Sequence, residues 1–409
     1  MAGQEYQYIQ DALKDYYGKA IVNQVPKKSP LWAMFEKKTA PFAGKRMVIP
    51  VQLSFVESVG ARAANNYALP EASRITYDQA YVTVKRIYGR VAIDGFSVES
   101  SKGQGGWVDL FTNEVKGAVN AFAIDIDRQL LCGGKGILGV ADAVADQVIT
   151  VKGPGGLAGD TPVTKFFRKG MVLDIYKSDG TKHADSVTIT AVNDADGKIT
   201  VSGTISSVAQ DDLIYKEDAY SATAANLGEM MGIEGVVGSG NTPGDSDFQG
   251  IDASSESLWQ AYIDSGSAAL SESKIQNLLD AIESRSDGDP VNLAVTGYTL
   301  RNKLISLMQA LRHIDTLDLK AGWKAIKYVG GSIELPFLVH PKAPTGHVYF
   351  LSTNHIKLYQ LLPLTWDEKA GGMVKNVAGY DVYEAWFKFY GNLGTDCRNA
   401  HGKMTAATA

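Results

Sequence analysis

Cysteine is almost absent: Cys132 and Cys397 are the only two in 409 residues. Two thiols so widely separated build neither a disulfide framework nor a cysteine-rich zinc site. Also missing is any apolar run of about 18 residues, the length a membrane-spanning helix needs. Gln4, Glu5, Gln7 and Gln10 occupy the stretch where a secretory signal needs an apolar core. The chain is therefore expected to stay in the cytoplasm where it is made, with no membrane contact. A surplus of positive charge is lacking too. With 40 Lys and Arg against 45 Asp and Glu, a formal net charge of -5 and an isoelectric point near 5.8, the chain does not grip nucleic acid by electrostatic attraction alone.

The common catalytic signatures are absent as well. No GxSxG, CxxC or HExxH occurs, and no Gly-Lys pair is followed by the Ser or Thr of a phosphate loop. Gly134-Lys135-Gly136-Ile137-Leu138-Gly139 fits the bare GxGxxG spacing. A dinucleotide site needs a strand before that motif, whereas here a helix precedes it, so the stretch reads as a helix-ending turn. Asp125 and Asp127 are two apart on a helix and point to different sides, which separates them as an acid–base pair. Asp194-x-Asp196-Gly197 lacks the remaining ligands of a calcium loop and reads as a hairpin turn. His340, His347 and His355 fall on or beside separate strands, where imidazoles far more often hold no metal. Arg86, Tyr88 and Arg90 share a strand face suited to bases or phosphates, although a subunit contact or plain surface charge is the commoner use. No catalytic, cofactor-binding or metal-binding residue is assigned, and the chain is expected not to be an enzyme.

What the sequence does contain is one long amphipathic helix. Trp107, Phe111, Val115, Ala118, Val119, Phe122, Ile126 and Leu130 form an apolar stripe within 107–131, with Asp109, Asn113, Lys116, Asn120, Asp127 and Arg128 on the other side. At 1.5 Å per residue the segment runs about 37 Å. Cys132-Gly133-Gly134 follows it, where a glycine can take the left-handed cap.

The preceding chain looks extended. A lone helical face (Ile9, Leu13, Tyr16, Tyr17, Ala20, Ile21) is broken by Val25-Pro26-Lys27-Lys28-Ser29-Pro30, and 31–38 suits a turn or two of helix before Pro41. Through residue 45 seven Lys stand against Glu5, Asp11, Asp15 and Glu36, a basic arm. Residues 46–56 and 74–94 read as long strands around a small, polar tip at 57–73. A two-stranded hairpin buries too little by itself, so a neighbouring subunit is expected to cover it. Beyond the helix, 148–216 holds short strands with turns at Ser178-Asp179-Gly180 and Asp196-Gly197, the pattern of a small barrel or sandwich. From 257 the pattern is α/β, with helices at 271–285 and 299–311, and the chain ends in strands near 348–351, 356–361 and 381–390.

An arm, a two-stranded loop, a long helix, an α/β region and a returning β end, in that order, resemble the major capsid proteins of tailed double-stranded DNA viruses, with the Hong Kong 97 type fold. Residue-level marks are Leu335-Pro336-Phe337-Leu338-Val339, Gly346-His347-Val348-Tyr349-Phe350-Leu351, the ending 387–407 with Arg398 and Asn399, and the opening Tyr16-Tyr17-Gly18 and Ser29-Pro30-Leu31. The resemblance implies an α+β fold with an N-terminal arm (1–45), an extended β-hairpin loop (46–90) and a peripheral domain (91–147) holding the spine helix at 107–131. An axial domain (219–345) and a return to the peripheral domain (346–409) complete it. Residues 148–218 depart from the family pattern and read as an inserted small all-β domain.

It also implies a structural subunit that forms the pentamers and hexamers of an icosahedral shell in the virion, assembled in the host cytoplasm. Packaged double-stranded DNA would be touched weakly and nonspecifically. A portal protein, a separate scaffolding protein (the arm being short for a fused one) and a cement or decoration protein are the implied partners. Residues 57–74 contain no Lys, so the lysine crosslinking of some relatives is not expected. Candidate inter-subunit contacts are Glu57, Arg62, Glu71 and Arg74 of the loop and Lys27 and Lys28 of the arm. Trp107, Phe111, Val115, Phe122 and Ile126 are the expected spine-helix core. The alternatives are an encapsulin-like compartment around an enzyme and a carbohydrate-binding β-rich protein.

Overall fold

The long helix spans Gly106–Gln129 in the computed structural model, within two residues of its expected ends. The structure describes residues 29–39, 46–62 without 55 and 57, 69–96, 106–154, 163–220 without 204, 228–241, 247–266, 269–310 without 287, 315–318, 324–330, 333–367, and 375–405 without 378. At 106–113, 310, 315–318, 324, 330 and 333 it describes the backbone alone. Val115, Val119, Phe122, Ile126 and Leu130 are buried on the apolar stripe. Trp107 and Phe111 are in the helix, but their side chains lie outside the described part. Phe122 meets Phe387 edge-on at 4.9 Å, and Phe387 meets Trp366 at 5.2 Å, a packing geometry that favours aromatic quadrupoles.

The polar side departs from expectation at its C-terminal end: Asp127, Arg128 and Gln129 are buried. Segments far away in sequence cover the last turn, and helical periodicity carries no record of them. Gly134 takes the left-handed conformation expected near the helix end, with φ 80°. One uncovered helix carbonyl, that of Leu130, is satisfied by the Ile233 N–H at 2.7 Å. That approach needs Gly232, where a Cβ would come within 2.2 Å of the Gln129 carbonyl oxygen.

A five-stranded sheet packs on the helix. Its longest strand, Val382–Thr395, pairs antiparallel with Ile356–Trp366, with Lys85–Asp94 and with the short Lys375–Asn376. Glu36–Thr39 adds in parallel beside Ile356–Trp366. The single strand expected over 74–94 is in fact two, because Tyr77–Thr83 pairs with Arg46–Gln52 in a separate hairpin. The parity of burial explains the break. Ala80 and Val82 are buried on even positions and Val91 and Ile93 on odd ones, so an unbroken period-two strand cannot bury both pairs on the same face.

The hairpin also has a partner in its own chain, contrary to expectation. Met47, Ile49, Val51, Leu53, Ala80 and Val82 join the apolar core of the long helix, and the Tyr81 N–H donates to the Gln249 carbonyl. The opposite face of the strands, with Val48 and Tyr77, and the described distal residues remain exposed. The arm is likewise docked from residue 29. Pro30–Met34 forms a short helix whose N-cap Ser29 accepts from the Trp32 N–H at 3.3 Å. Leu31, Trp32 and Phe35 are buried, and Trp32 lies edge-on to Phe389 at 5.0 Å. Helix gives way to strand at Glu36, earlier than 31–38 suggests, because pairing with Ile356–Trp366 satisfies that backbone instead.

Seven strands form a second sheet in the order Tyr262–Asp264, Gly402–Met404, Val348–Leu351, Leu293–Thr296, Ile333–Val339, Lys324–Gly330, Asp315–Asp318. The helices Glu272–Arg285 and Tyr298–Ala310 share a core with it, where Ile275, Leu278, Ile282 and Leu304 accompany Phe337 and Phe350. The expected division at 345/346 does not separate the sheets. Val348–Leu351 and Gly402–Met404 lie in this second sheet, and the stretch 356–395 lies in the first. Pairing of Val348–Leu351 with Leu293–Thr296 decides this, since all four residues of each are buried.

Between helix and second sheet the chain makes a closed six-stranded barrel: Ile137–Ala145, Val148–Lys152, Val172–Tyr176, Lys182–Asn193, Lys198–Val201 and Leu213–Lys216. Ile149, Ile175, Val187, Ile189, Ile199 and Ile214 fill its core. The barrel begins before residue 148, at a strand whose small residues, Gly139, Ala141 and Ala143, gave it a weak β signal. No helix among the described residues is long and apolar enough to cross a membrane.

Candidate functional site

The described part of the hairpin loop exposes both apolar and charged side chains. Val59 is 86% exposed and Leu69 88%, with Val56 and Tyr77 also exposed. Arg62, Glu71 and Arg74 of the same loop are exposed too, while Glu57, Lys27 and Lys28 lie outside the described residues. Apolar side chains left in water favour a partner surface, since burial returns about 25 cal/mol per Å². Arg86 and Tyr88 are exposed on the neighbouring sheet. Tyr88 is edge-on to Tyr390 at 5.9 Å, and Arg90 is held by Glu384 at 2.6 Å. Arg90 of the Arg86/Tyr88/Arg90 face is therefore held in an ion pair.

Where the long helix ends, buried polar side chains join three parts of the chain. Arg128 holds Glu229 with both guanidinium Nη atoms, one contact at 2.9 Å, and reaches Asp125 at 3.0 Å. Gln129 donates to Asp125 at 2.9 Å and accepts from the Met230 N–H at 3.1 Å. The next carboxylate, Asp127, takes His340 Nε2 at 3.1 Å and Lys342 Nζ at 2.9 Å. His340 Nδ1 accepts from the Lys342 N–H, so its proton sits on Nε2 and points at Asp127. Burial alone would raise the Asp127 carboxyl, but His340 and Lys342 outweigh it and hold it below the usual carboxylate range. Sequence spacing correctly separates Asp125 from Asp127; it does not foresee that Asp127 is met by His340 and Lys342 from far along the chain, while Asp125 is met by Arg128 and Gln129 of its own helix.

Beyond this junction lies a cavity of about 480 Å³ bordered by the barrel's Phe166, by Lys135, Lys342 and Lys403, and by Glu234 and Arg398. Glu234 accepts from Tyr349 Oη at 2.5 Å and from Lys403 at 2.7 Å. Burial opposes its charge, yet His347 and Lys403 help draw its carboxyl down to about 2. Arg398 is 1% exposed and donates to the carbonyls of Val236 at 2.9 Å and Gly240 at 2.8 Å, lying over Phe248 at 3.8 Å. Burial pulls its pKa down to about 9. It clamps the 235–240 segment to the end of the first sheet. The Cys132 and Cys397 thiols are both pushed up to about 11 by burial and are protonated at neutral pH, unlike a nucleophilic thiolate.

His401 gives the fold an acid sensitivity. Its Nδ1 accepts from the Ser352 N–H at 3.2 Å and its Nε2 lies 3.3 Å from Thr395 Oγ1, so the buried imidazole is neutral with its proton on Nε2. Burial pushes its pKa from 6.5 down to about 3; nearby His355 and Arg398 also disfavour the charge, and Asp396 opposes them. Below pH 6.5 the unfolded chain takes up this proton and the folded chain does not, so stability falls as pH drops towards about 3. His401→Gln should lessen that pH dependence by about one proton, read from urea unfolding of the subunit across this range. An unchanged slope would mean that His401 is already accessible to protons in the folded state.

No family model and no curated protein matches this sequence. Solved structures do. A chain of the cyanophage A-1(L) capsid asymmetric unit is 12% identical, with a TM-score of 0.54 over 93% of this chain and 93% of that chain. A chain from Mycobacterium phage Bobi is 8% identical, with a TM-score of 0.44 over 92% of this chain and 90% of that one. The SrpI encapsulin of Synechococcus elongatus is 8% identical, with a TM-score of 0.46 over 94% and 88%. The first of these likenesses carries the fold: the chain has the α+β Hong Kong 97 type capsid fold.

Proposed function

We propose that this chain is a structural shell protein, the major capsid protein of a tailed double-stranded DNA virus, that assembles with copies of itself into pentamers and hexamers. The observation that carries this reading is the exposed apolar loop on a chain that shares its fold, along nearly its whole length, with a phage capsid chain. In a shell the loop's Val59 and Leu69 lie against a neighbouring subunit, with Arg62, Glu71 and Arg74 at the rim of that contact. Assembly stabilises what one subunit leaves exposed, by mass action.

In this reading the first sheet and the long helix belong to a peripheral domain and most of the second sheet to an axial domain at the capsomer centre. The net negative charge suits a container from which DNA must later leave. The protein is non-enzymatic, resides in the virion after assembly in the host cytoplasm, and works with separate scaffolding and portal proteins. Electron microscopy of the full chain expressed with its neighbouring genes is the test. Closed particles of uniform size that carry DNA are expected. Particles filled with an enzyme would favour an encapsulin-like compartment, and the absence of any closed particle would overturn the shell reading.

A further inference from the structure

Asp289, His355 and Cys397 come from three separate stretches: the turn after helix Glu272–Arg285, the turn before strand Ile356–Trp366, and the turn after strand Val382–Thr395. One potential ligand atom from each lies within 4.8 Å of the other two, and all three residues are half-buried. His355 Nε2 faces Asp289 Oδ2 at 3.0 Å. The other imidazole nitrogen, Nδ1, is 2.7 Å from Asp396 Oδ1, whose second oxygen is held by Lys357 at 3.4 Å. A carboxylate on the far nitrogen of a ligating imidazole fixes its orientation and directs the remaining lone pair towards a metal. Cys397 sits beside Asn399 Oδ1 at 2.9 Å, and Asn399 is tied to the Arg285 carbonyl at 2.7 Å. The Asp396 N–H bonds to the His355 carbonyl, so the backbone that carries two of the groups is already joined.

We propose that Asp289, His355 and Cys397 bind one borderline-soft divalent cation of the zinc class at the junction of the two sheets. A set of one imidazole nitrogen, one carboxylate oxygen and one thiolate sulfur suits Zn²⁺ and disfavours Mg²⁺ or Ca²⁺, which take oxygen. The fourth position of the tetrahedron is open to water, since Asp289 is 46% exposed at its side chain. Coordination releases the Cys397 thiol proton to solvent, along with the Nε2 proton of any His355 that is charged. The metal bridges the segment after helix Glu272–Arg285 to the ends of two strands of the first sheet and thereby locks the two sheets together.

The test uses the purified full chain titrated with Co²⁺ and then Zn²⁺. One Co²⁺ per chain should bind with a sulfur-to-metal charge-transfer absorption that Zn²⁺ displaces. Cys397→Ser should abolish the band while the subunit still folds, and Asp396→Asn should weaken binding by about 10- to 100-fold. Zn²⁺ should also shield Cys397 from alkylation and leave the rate at Cys132 unchanged, as read by peptide mass. A wild-type chain without the charge-transfer band, a band that persists in Cys397→Ser, or equal alkylation of Cys397 with and without Zn²⁺ would each overturn the site. The cluster would then be a hydrogen-bonded imidazole between two carboxylates.

Discussion

Glu229→Ala lowers the stability of the subunit by about 3–5 kcal/mol, the usual cost of removing one member of a buried ion pair. Arg128 and Glu229 expose only 4% and 5% of their side chains, so the abandoned guanidinium cannot be rehydrated by a small shift. Asp125 remains as a partner at 3.0 Å but is 24% exposed, and for that reason Asp125→Ala should cost less than Glu229→Ala. The double replacement Arg128→Met with Glu229→Met removes both charges, keeps the volume apolar and should recover much of the loss. Denaturant unfolding of the three variants beside the wild type, followed by circular dichroism, measures these differences. A Glu229→Ala cost below about 1 kcal/mol would mean that water reaches the pair.

The second large effect separates folding from assembly. Phe122→Asp should abolish folding of the subunit. Losing the ring costs about 3–5 kcal/mol by cavity formation alone, and a carboxylate left among Phe387 and the helix core adds an uncompensated charge. Leu69→Asp combined with Val59→Asp should leave unfolding within about 0.5 kcal/mol of wild type, because both side chains already face water. Yet particles should fail to form, since a subunit contact would now have to desolvate two charges. Arg62→Glu, which reverses one rim charge, should slow assembly and leave the fold intact. Melting curves report the first property and sedimentation the second. If the loop variants melted like Phe122→Asp, the exposed loop would be part of the subunit's core and not of its contacts.

Much of the architecture was legible because it follows from local rules. The 3.6-residue stripe from Val115 to Leu130 marked the long helix, and Ser271 marked the start of Glu272–Arg285, where its hydroxyl accepts from the Lys274 N–H at 3.3 Å. Glycines at 180 and 197, both at positive φ, marked barrel turns. The split between Tyr77–Thr83 and Lys85–Asp94 was also written in the chain, in the change of apolar parity from Val82 to Val91, and went unread because both halves are equally β-prone.

Other features had no local signal. Burial of Asp127, Arg128 and Gln129 depends on Glu229, His340 and Lys342, and a helix drawn from its own residues has no means of showing what covers its polar side. The meeting of Asp289, His355 and Cys397 is of the same kind, because none of the three stands at a metal-ligand spacing from another. By itself, then, the sequence determined the elements, their order and the absence of familiar catalytic motifs, since periodicity, capping and turn chemistry act over a few residues. Only the tertiary structure decided how 348–351 and 402–404 leave the first sheet for the second, how deeply the hairpin is docked, and which charges are buried together. Those outcomes are set by pairing and desolvation between segments that are from about 50 to 213 residues apart, where no short-range pattern records the partner.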